Sequence, residues 1–184
     1  MLKVTDVSFV RFSAPDLDAM ERFAVAFGLV STERSADTLY CRGTDPEPFI
    51  HVTELGEPGF RGVAFDAASA GDLERASQIE GASAVEALDG PGGGQRVRLS
   101  DPDGFSVEVV HGREALAPLE VRQGSPINTG SNPVRFGTLQ RLAAGPAQVK
   151  RLGHCVLRVS DFKASAAWYP DSYTHLTLPT ICSV

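Results

Sequence analysis

Hydrophobic and polar positions alternate with period two over residues 3–12. Val7 and Phe9 fall on one face and Ser8, Val10 and Phe12 on the other, which predicts a strand packed at least partly on both sides. The period then lengthens. Leu17, Met20, Phe23, Ala24 and Phe27 form an apolar stripe at helical spacing that ends at Gly28, with Ser13 expected as N-cap and Asp16 three positions on. Three short strands are expected at 29–34, 37–42 and 48–54, separated by the turn-forming stretches Ser-Ala-Asp and Thr-Asp-Pro-Glu-Pro.

The same order recurs: a strand at 62–66, a helix capped near Ser69 and running through Leu73, Ala76 and Ile79 to Gly81, and strands near 83–88, 95–100 and 105–110. This is an internal βαβββ repeat with a period of about fifty residues. Neither unit can cover both faces of its own sheet. The fold class expected is therefore α+β, with paired βαβββ modules forming one curved mixed sheet and the helices outside.

Residues 113–151 contain Pro118, Gly124, Pro126, Gly130, Pro133, Gly137, Gly145 and Pro146 without sustained periodicity, and read as a linker between domains. Alternation returns over Leu152–Val159. Cys155, Leu157 and Val159 lie on one face, and Leu152, His154, Val156 and Arg158 on the other. Ser160 and Asp161 are N-cap types, and Phe162, Ala166 and Tyr169 follow at helical spacing. Residues 172–184 break the pattern, with no Gly, Ala, carboxylate, Lys or Arg, and resemble translated adapter DNA at the edge of an assembled read. The expectation is a domain at 1–112, a linker at 113–151, the start of a second domain at 152–171 and a non-native tail at 172–184.

Composition narrows the function. With 42% hydrophobic and 22% charged residues over 184 positions, the chain can bury a core without staples. A net charge of −6 and no dense basic run argue against nucleic acid and anionic membrane as partners and favour a small molecule; self-association into a homo-oligomer stays open. Three cysteines without CxxC spacing indicate neither a disulfide framework nor a zinc site, and a cytoplasmic setting is the simplest. No apolar run reaches membrane-spanning length.

His154 is the most informative residue. Alone, a histidine on the mixed face of a strand is more often a hydrogen-bonded polar side chain than a ligand. The run from Gly153 to Tyr169, G-H-x-V-L-x-V-x-D-F-x-A-S-x-x-W-Y, resembles the opening of the metal-bearing half of extradiol ring-cleavage dioxygenases. These belong to the vicinal oxygen chelate superfamily with glyoxalase I and bleomycin-resistance proteins. Gly62-Val-Ala-Phe and Asp101-Pro-Asp-Gly-Phe-Ser-Val-Glu108 match the start and end of that superfamily's second module.

The resemblance implies an enzyme that cleaves a catechol-type ring, a small aromatic diol, with O₂ and Fe(II), or Mn(II), held by two His and one carboxylate. His154 is the first of those ligands, and the remaining ones are expected downstream, so the chain as given is expected to be inactive. In residues 1–112 the ligand positions fall on Phe9 and Gly62, which bind no metal, and on Glu108. Arg98 lies across the expected hairpin from Glu108, and an Arg98–Glu108 ion pair is the stronger reading of that carboxylate. The alternatives are a metal-free small-molecule-binding module and a glyoxalase-like isomerase or lyase. His51 and His111 read as satisfied polar residues, and Gly92-Gly93-Gly94 as a hairpin loop.

Overall fold

In the computed structural model, which describes residues 2–122, 128–131, 133 and 145–173, the alternating segments form eight strands of one sheet. Strands β1 (Val4–Ala14), β2 (Val30–Arg34), β3 (Thr38–Arg42) and β4 (His51–Leu55), with helix α1 (Leu17–Phe27), make the first module. The second consists of β5 (Gly59–Ala67), α2 (Ala70–Ala76), β6 (Glu86–Ala87), β7 (Gln95–Ser100) and β8 (Ser106–His111). The strand order is β2-β3-β4-β1-β5-β8-β7-β6. Within each module the first and last strands are parallel, β1 with β4 and β5 with β8, and β1 and β5 join the modules antiparallel. This is the α+β arrangement expected of the repeat, a curved mixed sheet.

The core lies mainly between the sheet and its helices. Val7, Val10, Val63, Phe65, Val97, Leu99, Val107 and Val109 pack with Leu73 and Ala76 of α2, while Leu17 and Ala24 of α1 pack with Leu39 and Cys41. Leu152 touches both clusters, which places them on one face. On the opposite face Phe9, Phe49, Val52, Ala64, Leu88 and Val110 form a smaller apolar cluster. Val7 and Phe9 were expected to share a face, but a bulge between Val7 and Phe9, where the register moves from Phe65 to Ala64, puts Phe9 opposite.

Helix α1 starts later than expected. Asp16, not Ser13, is its N-cap, accepting from the Ala19 N–H at 2.9 Å, because β1 continues through Ser13. Gly28 ends it in the left-handed region, donating to the Ala24 and Val25 carbonyls. Phe23 and Phe27 were expected to face the sheet, yet they are 60% and 58% exposed and stack on each other at 6.0 Å. Only Leu17 and Ala24 of the stripe are buried. Ser69 caps α2 as expected, but that helix ends at Ala76, leaving Ile79 in the turn that follows. The strand expected at 83–88 is reduced to Glu86–Ala87.

The described ends of the connection lie along the sheet domain. Leu116 and Leu119 donate to the Pro46 and Thr44 carbonyls, and Thr44 and Asp45 donate to the Val149 and Lys150 carbonyls. Residues 153–159 keep the expected alternation, with Cys155, Leu157 and Val159 half-buried and His154, Val156 and Arg158 exposed, whereas Leu152, expected on the His154 face, packs on the core; the segment forms no strand. Helix α3 (Phe162–Tyr173) follows. Of the expected inward residues Phe162, Ala166 and Tyr169 only Tyr169 faces the domain, joined by Ser165 and Trp168, while Phe162 is 63% exposed. Most of the proposed non-native tail, from 174 onward, lies outside the described residues.

Candidate functional site

The face of the sheet away from the helices carries the charged side chains. A bulge-adjusted β1 places Arg11 there beside Phe9, opposite Gly62, and β8 places Glu108 opposite Ala64. Glu108 is 3% exposed and holds two arginines: Arg11 Nε donates to its Oε1 at 2.9 Å, and an Arg96 terminal nitrogen to its Oε2 at 3.2 Å. Arg11 also reaches Glu54 at 2.6 Å, and Arg96 reaches Glu86 at 2.8 Å. Burial works against the charge of Arg11, but Glu108 and then Glu54 outweigh it and the guanidinium pKa is raised. Carboxylates and guanidinium groups thus neutralise one another across strands from both modules.

The expected register of the hairpin holds, Arg98 standing directly opposite Glu108. The expected ion pair does not. Arg98 turns to Glu86 at 2.8 Å, and Arg11 and Arg96 take Glu108 instead. Arg98 is 52% exposed whereas Arg11 and Arg96 are 12% and 15% exposed, so the buried carboxylate is matched by the buried cations. Arg11, Arg96, Glu54 and Glu86 were missed from the sequence. The available signal was Arg11 itself, a charge between Phe9 and Phe12 in a strand read as packed on both sides, which demands a buried partner.

Neither Phe9 nor Gly62 offers a group that could coordinate a metal, and each has a structural role instead. Phe9 is fully buried, with its ring under the Arg11 guanidinium at 5.6 Å. At Gly62 a Cβ would collide with the Ser106 carbonyl of the parallel neighbour, so β5 and β8 can approach only with glycine there. Among the described residues no group of three or more His, Cys, Asp or Glu side chains is placed to hold a metal ion. The described residues therefore do not fit a metal on their own.

His154 is exposed, on the extended segment before α3, and belongs to no group of three or more ligating side chains among the described residues. His51 stacks on Phe12 with ring centroids 5.2 Å apart, and burial lowers its pKa to about 4. His111 places Nδ1 at 3.3 Å from the Ala67 carbonyl. Both behave as the structural residues expected. Gly92, Gly93 and Gly94 all take positive φ in the loop between β6 and β7, as a hairpin loop requires. A cavity of about 190 Å³ lies nearby, lined by Glu47, Asp66, His111 and Arg113 among others. Arg113 packs over the Phe9 and Phe49 rings and donates to the Phe49 carbonyl at 3.0 Å.

No sequence-family profile matches the chain. It is 28% identical over 181 residues to a 1,2-dihydroxynaphthalene dioxygenase of Sphingobium xenophagum, and 26% identical over 183 residues to a biphenyl-2,3-diol 1,2-dioxygenase of Sphingomonas paucimobilis. Each match covers 92% of this chain and 55% of the relative, so the chain spans about half the length of these proteins. Among solved structures, a catechol 2,3-dioxygenase superposes with a TM-score of 0.62 at 20% identity, over 92% of this chain and 55% of that one. A Mn(II)-bound glyoxalase from Novosphingobium aromaticivorans gives 0.60 at 23% identity, over 67% and 44%. The sequence relatives are by name dioxygenases of aromatic diols, and the fold is the one seen in a catechol 2,3-dioxygenase and in a glyoxalase.

Proposed function

We propose that this chain is the N-terminal part of an extradiol dioxygenase. In this reading residues 1–112 are a non-catalytic domain, 113–151 the connection, and 152–171 the opening of the metal-bearing domain. The whole enzyme cleaves a catechol-type ring beside its hydroxyls, using O₂ and Fe(II), with Mn(II) the alternative metal. His154 serves as the first metal ligand. A metal there would act as Lewis acid and template for the diol and O₂. Since the described residues do not complete such a site, no step of the reaction is assigned to them.

The observation that carries this reading is the reach of the similarity. Matches to two aromatic-diol dioxygenases cover 92% of the chain, more than the 112 residues of the paired modules occupy, and so take in sequence beyond the sheet domain. A glyoxalase-type isomerase would need ligands at Phe9 and Gly62, where one side chain is a buried ring and the other position admits no side chain. A metal-free binding module draws support from the 190 Å³ cavity beside Arg113, but gives His154 and its motif no role.

The test is O₂ uptake by the protein expressed from the gene's whole reading frame, with catechol, biphenyl-2,3-diol and 1,2-dihydroxynaphthalene as substrates. Uptake with Fe(II) on at least one diol, lost in His154→Ala, is expected. No uptake with Fe(II) or Mn(II) on any of them, or full activity in His154→Ala, would overturn the reading.

A further inference from the structure

The turn between β7 and β8, Asp101-Pro102-Asp103-Gly104, is explained locally by its residue types, but two of its oxygens have partners far along the chain. Asp101 is 5% exposed. Its Oδ1 builds the turn by accepting from the Asp103 and Phe105 N–H groups at 3.0 and 2.8 Å. Its Oδ2 accepts from the Tyr169 hydroxyl of α3 at 3.0 Å. Asp103 Oδ1 accepts from the Ser160 N–H, just before α3, at 2.9 Å, and the Ser160 contacts hold this carboxyl below the usual range. The turn thus grips the chain just before α3 and again two turns into that helix, about 11 Å along its axis. Between those points Ser165 is buried and Trp168 packs on the core cluster of the sheet domain, as does Cys155 from the lead-in.

We propose that the Asp101–Gly104 turn and the apolar surface beside it form a socket on the sheet domain whose partner is the 152–169 unit of extended segment and helix, so that this domain fixes how His154 is presented. The partner chemistry is specific: a free N–H ahead of a helix, an apolar side chain on its inner face, and a phenol two turns later. A lone strand and helix cannot offset the roughly 1–2 kcal/mol per residue of backbone entropy lost on ordering, so the unit needs such a surface. Asp161 accepts from the Lys163 N–H at 2.8 Å, and so caps the helix independently of the socket. The inference holds whether or not His154 meets a metal.

Trp168 is the chain's only tryptophan, so its emission reports the docking directly. Asp103→Ala and Tyr169→Phe should each be made in the full chain and followed by fluorescence, far-UV circular dichroism and amide exchange. Both variants are expected to keep the dichroism of the sheet, to shift Trp168 emission to the red, and to exchange the 160–169 amides roughly ten- to a hundredfold faster, the factor for losing a hydrogen bond with a charged acceptor. Amides of β5 and β8 should be unchanged. If Asp103→Ala unfolds the sheet, Tyr169→Phe, which leaves the turn untouched, decides the matter. Unchanged emission and unchanged exchange over 153–169 in a folded Tyr169→Phe variant would overturn the proposal.

Discussion

Glu108 has two arginines within hydrogen-bond reach and almost no contact with water, and that combination sets what removing its charge costs. Glu108→Gln leaves Arg11 with Glu54 and Arg96 with Glu86, but both arginines lose their most buried partner. Urea unfolding should show a loss of about 3 kcal/mol, the lower end for breaking a buried pair. Arg98→Ala, on an exposed side chain paired only at the rim, should cost less than about 0.5 kcal/mol. Equal losses in the two variants would return Arg98 to the role its register position suggested. His51 contributes one part of the pH dependence. Its folded pKa of about 4 lies below the unfolded value near 6.5, so the unfolded chain takes up a proton that the native ring refuses. The stability it contributes is complete above pH 6.5 and is lost as pH falls toward 4, with a slope of up to about 1.4 kcal/mol per pH unit. His51→Phe keeps the stack on Phe12 and removes the titration, so its unfolding free energy should be flatter than the wild type's over that window; parallel curves would rule this out.

At the scale of elements, the strands were legible because alternation over five or six residues directly reports a sheet with two different faces. The strand Gln95–Ser100 falls where it was expected, and Gly28 and Ser69 end and begin helices as their residue types require. What periodicity could not show was a one-residue bulge in β1, which moved Phe9 and Arg11 to the face opposite the helices. Nor could it choose which stripe of α1 is inward, since Leu17, Met20, Phe23, Ala24 and Phe27 satisfy helical spacing but span more of the helix than the sheet covers. Leu17→Ala should therefore cost about 3 kcal/mol, and Phe23→Ala below about 1 kcal/mol, by chemical denaturation. A larger loss for Phe23 would mean that the aromatic pair is packed in solution. One of the two partners of Glu108 was hidden for a related reason: Arg11 comes from the other module, and only the β1–β5 junction brings it near.

At the scale of the whole molecule, two modules share one sheet, a charged network occupies the sheet face away from the helices, and an extended segment and helix carrying His154 are seated on the outer side. The repeat made the first of these readable from the sequence. The third was not, because it depends on a turn whose residue types already account for it. Under the proposed function a metal would be held at His154 and not at the Glu108 face. Titration of the chain with Mn(II), followed by electron paramagnetic resonance of the free ion, tests that division most directly. The expected result is no stoichiometric site, in wild type and in Glu108→Gln alike. One tight Mn(II) per chain, lost in Glu108→Gln and retained in His154→Ala, would place the metal on the sheet domain and contradict the account.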